Sequence, residues 1–150
     1  MTESLPTETQ LDTHIEAFDH VSVAVNDIET SRPLISLIGG QQIDGGENRR
    51  GGFAWAQYSL PGEGKLELIA PIDPDPENFL RRFIDEHGEG LHHLTFKVYK
   101  LADAVAAAED LGFTITGLDD SHPSWKEAFV HPRSAHGVLI QLAEFPETHG

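Results

Sequence analysis

His20, Glu67, His93 and Gln141 are polar residues set into otherwise apolar strand patterns, and the first three are of types that hold metal ions. Val21, Val23 and Val25 alternate with His20, Ser22 and Ala24, so His20 points to the face opposite the valines. Leu94, Phe96 and Val98 share their parity with His92, which leaves His93 on the other face with Thr95 and Lys97. Glu67 lies between Leu66 and Leu68, and Gln141 between Ile140 and Leu142, so each faces away from its apolar neighbours. An ionised carboxylate on a central strand is costly unless it is paired or binds a cation. Two imidazoles and that carboxylate form a nitrogen and oxygen donor set for one divalent ion: zinc, cobalt, nickel, manganese or ferrous iron. His93 is the expected ligand of the adjacent pair and His92 the structural residue. The competing reading is a hydrogen-bonded strand histidine beside a solvated glutamate. Recurrence of these residues along the chain raises the cation to equal standing with that reading, and both stay open.

That recurrence comes from the elements that must position them. His20 and His93 are 73 residues apart, as are Gly39 and Gly112, while Glu67 and Gln141 are 74 apart. Internal similarity at a fixed spacing marks repeated supersecondary units. In the first half, a strand at about 18–25 leads to a helical stretch at 27–38, interrupted by Pro33 and closed by Gly39-Gly40. Proline removes a backbone donor, so a kink or a late start at Ser31 is expected there. A weak strand at 41–44 follows, then strands at 53–60 and 65–70 around a Pro61-Gly62-Glu63-Gly64 turn. Asp75-Pro76 predicts the N-cap and first position of a helix ending at Gly88. The second half repeats the order, with a strand at 91–98, a helix from Leu101 closed by Gly112, and strands at 113–117, 128–131 and 138–143. The prediction is an α+β fold of two βαβββ modules. Residues 1–16 are expected to be a leader and 17–145 a single domain, with repeats at about 18–71 and 91–145 and a bridging helix at about 76–87.

The bulk properties narrow the chemistry. The chain has 150 residues and no cysteine, which excludes disulfides, thiolate ligands and thiol catalysis. With 25 acidic and 10 basic residues the net charge is −15, which repels nucleic acid and anionic membrane surfaces. The first residues lack the basic and apolar regions of a signal peptide, and no apolar run is long enough to span a bilayer. A cytoplasmic protein acting on a small molecule is expected.

The segments DHVSVAVNDIETS, GKLELIAP, GEGLHHLTFKV and AFVHPRSAHGVLIQLAE resemble successive signatures of the glyoxalase, bleomycin-resistance and dioxygenase superfamily, also called vicinal oxygen chelate proteins. Within it they are most similar to the methylmalonyl-CoA epimerases. The resemblance spans about residues 18–145. It implies paired βαβββ modules whose mixed sheets curl into a cup, a homodimer, and one metal ion held at the positions of His20, Glu67, His93 and Gln141. It also implies an isomerase or epimerase that polarises a small carbonyl or acyl-CoA substrate while carboxylates move a proton. Against that pattern, Glu67 and Gln141 exchange an acid and an amide, so Glu67 is expected to be both ligand and proton acceptor. A second family base falls near Arg49 and Arg50, where guanidinium cannot accept a proton. Glu47 is then the nearest carboxylate and the second catalytic candidate.

Arg49, Arg50, Trp125 and His131 are the substrate-contact candidates. Trp125 and Phe129 either roof an apolar pocket or pack in the core, and His131-Pro132 either lines the mouth or makes a turn. Two other activities stay open. The His20, His93 and Glu67 set also suits a ferrous dioxygenase or a glyoxalase-type lyase. A protein that binds or sequesters a ligand without chemistry is the reading from a different class.

Overall fold

The computed structural model describes residues 14–146, so most of the expected leader, residues 1–13, lies outside the described residues. Eight strands and three α-helices are present among the described residues, an α+β architecture as expected. The chain separates into two compact units, His20–His93 and a second made of residues 14–19 with 94–146.

In the first unit, the strands run in the order β2 (Gln41–Asn48), β3 (Phe53–Ser59), β4 (Lys65–Pro71) and β1 (Ile15–Ala24). β1 pairs in parallel with β4, and the other two pairings are antiparallel. Register fixes which side chains share a face, because paired residues project the same way. Val21, Val23, Leu66, Leu68, Ala56 and Tyr58 line one face and pack with Ile35 of α1 (Arg32–Leu37). Leu68 has no exposed surface, and burial of such a side chain contributes roughly 1.5–3 kcal/mol. The other face is divided. Ala24, Ile69, Phe53 and Trp55 are covered by Leu80 and Ile84 of α2 (Phe79–His87), whereas His20, Ser22, Gln57 and Glu67 occupy its far end.

The second unit repeats this plan as β5 (Gly90–Val98), β8 (Ile140–Glu144), β7 (Lys126–Val130) and β6 (Ile115–Asp119), with β5 parallel to β8. Val98, Leu142, Ala128 and Val130 pack against Leu101 and Ala104 of α3 (Leu101–Asp110). Glu144 Oε1 accepts from the amide of Leu101 at 2.8 Å, satisfying one of the unpaired donors at the start of α3.

Several boundaries differ from the sequence expectation. β1 starts at Ile15 rather than near Phe18, because Ile15 packs into the second core and Glu16 pairs with Lys97 at 3.4 Å. The late start at Pro33 is realised as a 3₁₀ turn, Glu29–Ser31, before α1. The cap of α2 is Asn78, not Asp75: its Oδ1 accepts from the amides of Leu80 at 2.9 Å and Arg81 at 3.1 Å. Asp75 instead closes a turn by accepting from Glu77 N. Asn78 Nδ2 also donates to Gly52 O at 2.7 Å, and Gly52 has φ +78° with room for no Cβ beside that amide. Removing an N-cap costs about 0.5–2 kcal/mol, and this one also anchors a second backbone group. Asn78→Ala is therefore expected to lower the unfolding free energy by an amount at the upper end of that range, read as a lower urea midpoint. A midpoint equal to the parent's would show that the cap is dispensable.

Candidate metal centre

His20, Glu67 and His93 each offer one ligand atom, and these atoms all lie within 4.8 Å of one another. All three belong to the first unit. His20 Nε2 faces Glu67 Oε1 at 3.3 Å. Two donors bound to one cation at about 2.1 Å stand about 3.0–3.5 Å apart at octahedral or tetrahedral angles, so this spacing suits shared ligation. The imidazole of His20 is 2% exposed and meets that of His93 edge to face, with centroids 6.0 Å apart.

Local strand alternation produces this convergence. Ser22 is opposite Glu67 in the parallel pair and Gln57 is opposite it in the antiparallel pair, so three polar side chains form one cross-strand row. Ser22 Oγ donates to Glu67 Oε1 at 2.7 Å, and Gln57 Nε2 donates to Oε2 at 3.1 Å. Both partners are buried. Burial pushes the Glu67 carboxyl up, but the hydrogen bond and charge of His20, with the bonds from Ser22 and Gln57, outweigh it. Its pKa falls below the ordinary 4.5. The carboxylate is held ionised with both oxygens oriented, as an anchored ligand requires.

His92 has a different neighbourhood from His93. Its ring lies against Phe83 at 4.7 Å and Phe79 at 5.9 Å, centroid to centroid. Burial lowers its pKa, partly opposed by the charge of Glu67. The Nδ1 atoms of His92 and His93 are 2.8 Å apart, so one carries the shared proton and the other accepts it, which fixes the orientation of His93.

The remaining sequence candidates have the following neighbours. Gln141 belongs to the second unit, where Thr95 Oγ1 donates to its Oε1 at 2.6 Å and its Nε2 donates to Glu127 Oε1 at 2.8 Å. Each unit thus repeats one local device. The residue two beyond the histidine, Ser22 or Thr95, gives its hydroxyl to the Oε1 of Glu67 or Gln141. Glu127 Oε1 also accepts from Trp125 Nε1, and the indole stacks on Phe145 at 4.8 Å. His131 Nδ1 accepts from Arg133 N, capping a 3₁₀ turn, so this ring edge serves the turn. Arg49 pairs with Glu47 at 3.1 Å on the surface, and Arg50 is exposed in the adjoining turn. Glu47 is opposite Ala54 and so faces away from Glu67. Gln57 was absent from the sequence candidates, although its parity with Phe53 and Trp55 already marked it as the polar member of a covered face.

A buried strand histidine beside a half-buried glutamate and a second histidine, carried by a βαβββ unit, is a donor set that could hold one metal ion. The sequence pattern of the glyoxalase/bleomycin resistance protein/dioxygenase superfamily matches residues 19–129, and the chain belongs to that superfamily. Among similar proteins, the uncharacterised YqjC of Bacillus subtilis is 31% identical over 131 residues, covering 84% of this chain and 90% of that protein. The mitochondrial methylmalonyl-CoA epimerase of Dictyostelium discoideum is 26% identical over 134 residues, covering 87% of this chain and 79% of the relative. The crystal structure of methylmalonyl-CoA epimerase from Mycobacterium tuberculosis matches with a TM-score of 0.77 at 24% identity, over 95% of this chain and 93% of that one.

Proposed function

We propose that this protein is a metal-dependent isomerase of the methylmalonyl-CoA epimerase type, acting on the carbon beside the carbonyl of a small acyl-CoA. The observation that carries the reading is the convergence of His20, Glu67 and His93 within 4.8 Å. His20 and His93 would hold the divalent ion as neutral donors, and Glu67 would offset part of its charge. When bound, such an ion supplies Lewis-acid polarisation of a carbonyl oxygen. Ser22 and Gln57 keep the carboxylate of Glu67 in place, and their burial with His20 keeps water from its inner side. The named epimerases among its relatives supply the substrate class. Among the described residues no helix is long and apolar enough to cross a membrane.

The test is proton exchange. Purified protein is incubated with methylmalonyl-CoA in deuterated buffer, and loss of the proton on the carbon between the two carbonyls is followed by NMR. Exchange is expected, abolished by a chelator and restored by cobalt or another divalent ion. Protein that exchanges nothing in any metal-loaded state would overturn the reading. Oxygen consumption by the ferrous form would instead favour a dioxygenase, which the same two-histidine, one-carboxylate set suits.

A further inference from the structure

Deprotonation beside a carbonyl needs a proton acceptor, and the carboxylate of β2 turned toward the candidate metal centre is Asp44. Of the carboxylates on β2, β3 and β4, namely Asp44, Glu47 and Glu67, register puts Asp44 and Glu67 on one face and Glu47 on the other. Asp44 is opposite Gln57, Gln57 is opposite Glu67, and Glu67 is opposite Ser22. These four make one continuous row across the sheet. Neighbouring strands are about 4.8 Å apart, so Asp44 stands two strands, about 10 Å, from Glu67 with its side chain on the same side.

A β-bulge is responsible for this placement. The register of β2 against β3 shifts between Gln42 and Asp44. In regular pairing, Ile43 would follow Gln42 into the row of Gln57, and Asp44 would point to the core face. The extra residue exchanges them, leaving Ile43 54% exposed and bringing Asp44 into line with the site. Bulges re-aim side chains in this way and recur beside active sites. The adjoining residues suit the same purpose. Gly45 N donates to Asp44 Oδ1 at 2.8 Å and fixes the carboxylate. A Cβ on Gly45 would come within 3.0 Å of Gln42 Nε2 and 3.2 Å of Trp55 O. Gly46 is opposite Trp55 on the site face, and a Cβ there would lie 3.5 Å from the indole.

We propose that Asp44 is a catalytic residue, the general base for the carbon acid of the substrate. The reaction rests on the isomerase reading given above. The carbon–hydrogen bond breaks and its proton passes to an Asp44 carboxylate oxygen. The bonding pair becomes a carbon–carbon double bond to the carbonyl carbon, and the carbonyl π pair moves onto oxygen. Reversal returns a proton to carbon, with no net oxidation or reduction. Glu67 is less suited, since its two oxygens are held by Ser22 and Gln57, and an amide such as Gln57 accepts no proton at neutral pH.

The experiment is the exchange assay on metal-loaded parent, Asp44→Asn, Glu47→Gln and, as a charge-matched control in the β3–β4 turn, Glu63→Gln. General bases contribute about 10²–10⁴-fold, so Asp44→Asn is expected to lower kcat by about 100-fold or more, with unchanged metal content. A fall of less than about tenfold, in a parent that does exchange, overturns the assignment and leaves the isomerase reading intact. Loss of metal from Asp44→Asn, or an equal loss of kcat in Glu47→Gln or Glu63→Gln, overturns it as well. A parent that exchanges no proton overturns both the reaction and this residue's part in it.

Discussion

Replacing His93 by alanine is expected to strip the protein of its divalent ion while leaving it folded. His20, Glu67 and His93 offer three donor atoms within 4.8 Å of one another, and His93 supplies one of the two nitrogens. Loss of an outer-shell partner alone typically costs 10- to 100-fold in metal affinity, so loss of a direct ligand is expected to cost more than about 100-fold. Elemental analysis of protein passed through a desalting column reads this directly: about one ion per parent chain against a trace in the variant, with equal far-ultraviolet circular dichroism. His92→Ala is the informative comparison. His92 packs on Phe83 and reaches His93 through the Nδ1 pair, so its removal is expected to weaken binding by about 10- to 100-fold without abolishing it. Equal metal in parent and His93→Ala protein would exclude His93 as a ligand, whatever activity remained.

That His93, rather than His92, stands with His20 and Glu67 is readable from strand parity, and the reason is physical. β5 has a face that packs against α3, so Phe96 and Val98 set the parity of the strand and separate His93 from that face, although the two rings still meet through their Nδ1 atoms. β1 is read in the same way through Val21 and Val23. β2 lacks such a marker. All but one of its residues are exposed, so there is no buried face for the pattern to announce, and the sequence reading stopped it at Asp44 rather than Asn48. A bulge then inverts the parity within it, which no alternation of Asp, Gly and Glu could disclose. Glu47 therefore stood out by charge and proximity to the arginines, while the carboxylate aligned with the site is Asp44. The cap of α2 was missed for a related reason. Asp75-Pro76 carries the signature of a helix start, but the backbone makes one further turn, with Asn78 N donating to Asp75 O, before Asn78 caps the helix. Local signals specify that a chain turns; the contact with Gly52 decides which turn is the last.

Glu67→Gln should separate the two roles a carboxylate has at this position, ligand and contributor to the fold. The substitution keeps length and hydrogen-bonding capacity toward Ser22, but it removes the negative charge that faces His20. Metal affinity is expected to fall by at least about 100-fold, because a neutral amide oxygen replaces an anionic donor in a buried site. In metal-free protein the consequence depends on pH. The folded-state pKa of Glu67 is below the ordinary 4.5, so ionised Glu67 adds stability that is fully present above that value. This contribution is lost as pH falls through the lowered folded-state pKa. The parent is therefore expected to exceed Glu67→Gln most at neutral pH, with the gap between their urea midpoints closing as acidification proceeds below 4.5. A gap that stayed constant from neutral pH to about pH 3 would mean that the hydrogen bonds of Ser22 and Gln57 act on shape alone. Retention of one tightly bound ion by the variant would remove Glu67 from the ligand set and leave two histidines to account for the metal.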